Sequence, residues 1–526
     1  VNVRADVEFA AALAAALLQE APRVLGLTDR DGNSRTAGCM DRTFWAWKFT
    51  DFPGSRFQEG VCFLAFLHTR RLEGSAYVGS TALLEWIRLG LEWWTRVQHK
   101  DGSFDEAYPY ERSLAATAFT SFYVAEALEM LGEALPAETA GRVKQSLAHA
   151  GEWLRRNDET HGFLSNHLAA AAAALFHIHR VTGDARFERR SRYFRDRILS
   201  RQSAEGWYDE YGGADPGYQT HGSFYLARLW QLSGDDELAA SIDRSIDFLA
   251  RFAHPDGSMG GEYASRNTQT YYPAAFEIFA ARHAGSAWLA QRMRDSVLGA
   301  SAAGLRGIDA YNYFPLLNNL VFTYRAVTSP GTRAAPCEPG ENESLSWFAQ
   351  AGIARVRRDR YDAFIGATKG GVIKVWDRRS GRLVLSDCGW LGRTWDGRLA
   401  STQYLDAQRP VRVSEENIDV EGGLAQAARP VMSPVRFLAF RIFSLTVGRW
   451  ASAGRWLKQQ LVRILIYRRR ALPVTFHRRI AFGEDRITIR DELQGDHEGR
   501  LTGLSRGTLF TTIHMGSSRY FVLNDL

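Results

Sequence analysis

The chain reads as an α+β multidomain protein, an N-terminal (α/α) toroid of helical hairpins followed by a C-terminal antiparallel β-sandwich. Three observations predict this. Turn-rich, aromatic and acidic segments recur through the first 327 residues, beginning at residues 38, 101, 161, 206, 255 and 307. Each interval holds about two helices and their connections. Between these segments lie amphipathic or apolar helical stretches, such as STALLEWIRLGLEWWTRVQ from Ser80 and ASIDRSIDFLARFA from Ala240. After residue 327 the hydrophobic pattern changes to alternation broken by Gly-rich turns. At 526 residues the chain is too long for a single core, which agrees with two or three domains.

Taken in order, residues 1–327 form the toroid. Hairpins whose special loops all fall at one end imply a ring with one functional rim. The rim segments carry flat faces for sugar rings in Trp45, Tyr108, Trp207 and Tyr211. They also carry guanidinium groups for carboxylates or sulfates in Arg42, Arg56, Arg112 and Arg266.

Two rim segments concentrate the chemistry. In HGFLSNHLAAAAAALF from His161, Ser165, Asn166 and His167 directly precede an all-apolar, mostly Ala stretch. Alanine is the best helix former, so an amide and an imidazole sit in the first turn of a buried helix. In GWYDEYGGADPGYQTHGSFYLARLW from Gly206, Gly212, Gly213, Pro216 and Gly217 break regular structure, and Tyr218 follows the turn. A helix is expected to resume at about Ser223, placing Tyr225 inside it and His221 just before it. A third segment, GGEYASRNT, follows two glycines with Glu262, Arg266 and Asn267. The structural alternatives are that Asn166 caps its helix, that His167 is an ordinary buried histidine, and that Arg266 serves as an ion-pair partner of Glu262.

Residues 328–344, TSPGTRAAPCEPGENES, form a linker. Residues 345–526 then read as the sandwich, with strand runs such as GGVIKVWDRRSGRLVLSD and HRRIAFGEDRITIRDEL. One segment interrupts them: from Ser433 to Arg470 the chain has nine basic residues, no acidic ones, and Phe, Trp, Leu and Ile throughout. It contains no uncharged apolar run of the roughly 18 residues that a span requires. Its readings are a basic amphipathic surface on anionic lipid, a site for a polyanionic glycan, or strands or helices packed on the toroid.

The net charge of +6 and a pI near 9.1 suit a polyanionic partner, and no nucleic-acid-binding signature accompanies them. Cys39, Cys62, Cys337 and Cys388 lack metal-ligand or disulfide-framework spacing. A cytoplasmic location, with or without membrane association, is expected, or a periplasmic one if a signal peptide has been removed. No cofactor motif is present, and a structural metal in the sandwich stays open.

The architecture, SNHLAAAAAAL and DPGYQTHGSFY together resemble the heparinase II/III-type polysaccharide lyases and the related uronosyl C5-epimerases. The resemblance implies an acidic, uronic-acid-containing polysaccharide as substrate. It places carboxylate neutralisation on Asn166, a catalytic or supporting role on His167, and the catalytic phenol on Tyr218 or Tyr225. Tyr218 is favoured because it lies on the rim. A further family histidine has candidates in His477 and His514. The expected reaction is C5 proton abstraction with β-elimination, and C5 epimerisation through the same intermediate is the alternative. Hydrolysis through rim carboxylates such as Asp105, Glu106, Asp209, Glu210 or Glu262, and non-catalytic glycan binding, are rival classes.

Overall fold

The computed structural model describes residues 3–160, 162–299, 304–427, 432–464, 469–495 and 501–508. Twelve α-helices among the described residues build the first part: α1 (Val3–Leu27), α2 (Gly60–Thr69), α3 (Thr81–Val97), α4 (Leu114–Leu131), α5 (Ala137–Arg156), α6 (Ser165–Thr182), α7 (Ala185–Leu199), α8 (Pro216–Ser233), α9 (Asp236–Ala250), α10 (Ala274–Phe279), α11 (Ala284–Leu298) and α12 (Tyr313–Val327). The even-numbered helices pack in succession and α12 returns to α2, closing an inner ring. The odd-numbered helices form the outer layer, with α1 closing against α11 and α12.

Composition explains the two layers. Helix α4 is buried along nearly its whole length, as an inner helix with neighbours on all sides must be. It is apolar and long enough to cross a membrane, yet 89% of its most apolar window is buried inside the ring, which makes it a core helix. Outer helices such as α3, α5 and α9 instead bury one stripe and keep a charged face in water.

Small residues set the inner spacing. The run from Leu168 to Ala174 in α6 is wholly buried, and a Cβ added at Gly222 of α8 would lie 3.3 Å from the Asn166 Cα. The α6 and α8 backbones therefore approach closely at the end that carries the rim. Helix α8 also begins earlier than the glycine-rich turn suggests, at Pro216. Asp215 caps it by accepting from the Tyr218 N–H at 3.0 Å, and Pro216 occupies the first helical position, where a missing N–H costs nothing. Tyr218 thus sits in the first turn of the helix.

After α12 the chain forms two antiparallel sheets. The first runs in order β1 (Leu345–Phe348), β2 (Ile353–Arg357), β3 (Tyr361–Gly366), β4 (Val372–Asp377) and β5 (Leu383–Asp387). The second comprises β6 (Trp390–Thr394), β7 (Leu399–Ser401), β8 (Val411–Val413), β9 (Asn417–Ala427), β10 (Arg470–Phe482), β11 (Ile487–Gly495) and β12 (Leu501–Arg506). Its order is β11-β10-β9-β7-β6-β12, with β8 also on β9. Ile365, Val375, Val420, Phe476 and Ile480 form the core between the sheets.

The outer face of the first sheet lies on the toroid. Phe364, Val372 and Trp376 continue the toroid core, and Trp376 stacks on His254 at 3.9 Å while donating to Asp256 at 2.7 Å. The basic apolar segment between β9 and β10 forms two helices, α13 (Pro434–Leu445) and α14 (Ala451–Val462), which fold back onto the toroid rim.

Candidate active site

The rim segments before α6 and α8 are held together by backbone pairing. Leu164 and Glu210 form an isolated antiparallel bridge, Ser165 N–H donates to the Asp209 carbonyl at 3.2 Å, and Tyr211 N–H donates to the Phe163 carbonyl at 3.0 Å. This brings Asn166 against Glu210. The Asn166 side-chain amide donates to both Glu210 oxygens at 2.9 Å, and its backbone N–H donates to one of them at 2.9 Å. Asn166 is therefore not the helix cap; Leu164 holds that position without a side-chain bond.

Asp215 joins a third segment to these two. Its second carboxylate oxygen accepts from the Arg266 backbone N–H at 2.8 Å. The Arg266 guanidinium then lies over the Tyr218 ring, 3.8 Å from its centroid, and over Tyr211 at 5.0 Å. Its ion pair is with Glu210 at 3.5 Å, while Glu262 pairs with Lys374 of β4 at 2.6 Å. The sequence alternative that paired Arg266 with Glu262 is thus corrected.

These groups border a cavity of about 900 Å³. Asn166, His167, Tyr211, Tyr218, His221 and Arg266 line it, together with Arg56 and Phe119 of the toroid. His167 shares its Nδ1 with Glu159 at 2.8 Å. A carboxylate there accepts from Nδ1–H, which leaves the lone pair of the unprotonated ring on Nε2. His221 stacks between Tyr272 at 4.2 Å and Phe119 at 5.3 Å. Burial first, then the nearby Arg56 guanidinium and the His167 imidazole, push it well below the usual histidine range, so it is neutral. Burial raises Glu210 to about 7, against the pull of Arg266 and the Asn166 amide. Glu59, paired with Arg56, is likewise raised by burial to about 7.

The insertion completes the wall. Phe437 and Arg441 of α13 and Lys458 of α14 line the same cavity. Arg441 pairs with Asp51 at 3.0 Å and Lys458 with Glu111 at 3.3 Å. Desolvation pulls the Lys458 ammonium down, but Glu111 together with Glu159, Tyr108 and Glu106 more than offsets it and holds the group charged. The wall bears Arg56, Arg266, Arg441 and Lys458 beside Asp41, Asp51, Glu106 and Glu111, so guanidinium and ammonium donors are set in place by carboxylate partners.

Several residues singled out in the sequence do not reach this cavity. Tyr225 is fully buried beneath it, its hydroxyl bonded to His221 Nε2 and to Tyr123, each at 3.2 Å. Tyr108 is buried against Phe440 of α13 at 5.1 Å. Trp45 donates to the Leu27 carbonyl at 2.7 Å, and Trp207 donates to Glu205 at 3.0 Å. Arg112 pairs with Asp101 at 3.0 Å and donates to the Arg449 carbonyl at 2.6 Å, in a neighbouring cavity of about 530 Å³. Asn267 accepts from Lys369 at the interface with the sandwich, and Glu262 is held there by Lys374. Trp45, Trp207, Arg112, Asn267 and Glu262 thus have their polar groups engaged in rim or interdomain packing. His477 pairs with Asp419 within the second sheet at 3.2 Å, and His514 lies outside the described residues.

Sequence reasoning missed Glu159, Phe119, Arg441 and Lys458. Phe119 sits in an apolar helix with nothing to mark it as cavity-facing. The two cations belong to the basic segment, whose composition was visible while its position was not. Among the described residues, Glu126, Glu129 and His177 offer ligand atoms within 4.8 Å of one another. Arg228 and Arg325 already pair with Glu126, however, so the cluster is an ion-pair network away from the cavity.

Residues 87–274, which include α4, α6, α8 and the Arg266 loop, match the ulvan lyase N-terminal domain family. No curated protein matches the sequence. Among solved structures, the chondroitin AC lyase of Streptomyces coelicolor A3, in complex with chondroitin sulphate, superposes with a TM-score of 0.51 at 14% identity. The match covers 79% of this chain and 67% of that one. A Paenibacillus xanthan lyase gives a TM-score of 0.50 at 12% identity, over 80% of this chain and 46% of that one. The chain has the toroid-plus-sandwich fold found in polysaccharide lyases, and within it residues 87–274 match the ulvan lyase N-terminal family.

Proposed function

We propose that this protein is a polysaccharide lyase that acts on a uronic-acid-containing glycan by taking the C5 proton and eliminating the substituent at C4. The observation that carries the reading is the convergence of Asn166, His167, Tyr218 and Arg266 on one cavity. The C6 carboxylate is received by Arg266 and the Asn166–Glu210 pair, which take up charge as the enolate-like intermediate forms. A Glu210 carboxyl titrating at about 7 is able to hold its proton when a second carboxylate arrives, which avoids repulsion between them. His167, oriented by Glu159, accepts the C5 proton at Nε2. Tyr218 gives its phenolic proton to the C4 oxygen as the C4–O bond breaks. The electron pair of that bond leaves with the oxygen, and a C4–C5 double bond remains on the new uronate end.

The test is incubation with chondroitin sulphate, xanthan and ulvan in heavy water, following ultraviolet absorbance of the unsaturated uronate and deuterium at C5. Absorbance that grows with wild-type protein and is lost in Asn166→Ala and Tyr218→Phe supports the lyase. Deuterium at C5 without absorbance would replace it with the epimerase. Activity that survives both substitutions but fails in Glu106→Gln would point to hydrolysis.

A further inference from the structure

The α13–α14 hairpin has two faces, and the cavity uses one. On the inner side Phe440 packs on Tyr108, Arg441 pairs with Asp51 and Lys458 with Glu111. On the opposite side of α13, Val435, Leu438, Ile442 and Leu445 recur at three- and four-residue spacing, the signature of a single helix face. They are 78%, 61%, 56% and 38% exposed. Trp450 and Trp456 on the same hairpin are 69% and 55% exposed. Arg436 and Arg463 are exposed on the same hairpin, while Arg449 lies over Tyr110 and Arg455 borders the neighbouring cavity. No acidic residue occurs between Ser433 and Arg470.

We propose that this outer face docks on an anionic lipid surface, with α13 lying in the plane of the headgroups. Each helix has 12 residues and is therefore about 18 Å long, short of the roughly 30 Å of a hydrocarbon core, so the hairpin lies on a bilayer and does not span it. An apolar stripe flanked by arginines and tryptophans fits the boundary between acyl chains and anionic headgroups. A second copy of the chain fits poorly, because a self-complementary contact would set two all-basic surfaces against each other. A soluble polyanion would engage the arginines and leave the stripe in water. The inner face of the hairpin lines the cavity, so docking holds the cavity mouth near the lipid surface. If the lyase reading holds, a glycan carried on lipid is the substrate best presented there.

The experiment is flotation of the full chain with phosphatidylcholine vesicles and with vesicles containing phosphatidylglycerol. Wild-type protein should bind the anionic vesicles at least about tenfold more strongly than the neutral ones, and Leu438→Glu/Ile442→Glu should lose at least about tenfold. Neither residue lines the cavity, so elimination on a soluble glycan should be unchanged, and the two proposals fail separately. Absence of vesicle binding, or undiminished binding by the double variant, overturns the inference. So does a concentration-dependent dimer that the double substitution abolishes, which assigns the face to a second copy. Retention on a soluble polyanion, with no vesicle binding and insensitive to the double substitution, assigns it to a glycan.

Discussion

Tyr218 and Tyr225 lie two turns apart on α8 and meet different surroundings. Tyr218 borders the cavity under the Arg266 guanidinium, whereas Tyr225 is sealed below it and holds His221 and Tyr123. Tyr218→Phe is expected to lower the elimination rate by about 10²–10⁴, with the urea midpoint unchanged. Tyr225→Phe removes the bridge between two buried partners and should cost about 1 kcal/mol, while the rate stays within about threefold of wild type. Initial rates and urea midpoints on both variants decide it. The opposite pattern would move the catalytic phenol to Tyr225.

The turn before α8 does more than start a helix. Asp215 caps α8 through the Tyr218 N–H and ties down the Arg266 N–H at 2.8 Å and the Thr268 N–H at 3.4 Å. Gly217 lets this happen at close range, since a Cβ there would lie 2.7 Å from the Thr268 carbonyl oxygen. Asp215→Ala should therefore destabilise the protein by about 1–3 kcal/mol and also lower kcat/KM, because it releases both Tyr218 and Arg266. Asp215→Asn caps equally well but turns an amide donor toward the Arg266 and Thr268 N–H groups, so it should recover only part of either loss. Thermal melts with parallel kinetics test this, and full activity in Asp215→Ala would show that the turn does not position the site.

Among the described residues, burial raises the Glu59 and Glu210 carboxyls from an ordinary 4.5 to about 7. Each holds its proton in the folded state after the unfolded chain has released it. The folded protein therefore binds more protons between these values, and stability falls as pH rises from about 4.5 to 7. Glu210→Gln should flatten that slope, so the stability of wild type relative to the variant should drop by up to about 3 kcal/mol between pH 4.5 and 7.5. Urea titrations at stepped pH measure it, and a difference independent of pH would show that Glu210 titrates normally. The interdomain contacts work at the same level: Lys369 and Lys374 reach from the sandwich to the loop carrying Arg266, so the second domain stiffens the wall of the first.

Much of this was written locally along the chain. The two-helix rhythm, the change to alternation after residue 327, the helix opening at Ser165 and the rim position of Tyr218 all follow from neighbours within a few residues, which periodicity and turn chemistry report directly. The early start of α8 at Pro216 was also local, in the Asp-Pro pair, but the surrounding glycines masked it. Long-range packing settled the rest. Trp45, Arg112, Glu262 and Asn267 have the right chemistry for a sugar cleft, yet each spends its polar group on a partner brought to it by the fold, while Tyr108 is buried under α13 and Trp207 is held by Glu205 two residues away. Lys458 reaches the site because the return of a hairpin from the sandwich carries it there, whereas Glu159 lies only eight residues before His167 with no local mark of its role. Local pattern dictates which helix or strand a residue joins, whereas membership of a cavity wall depends on which elements pack side by side, and no short stretch of sequence contains both sides of that contact.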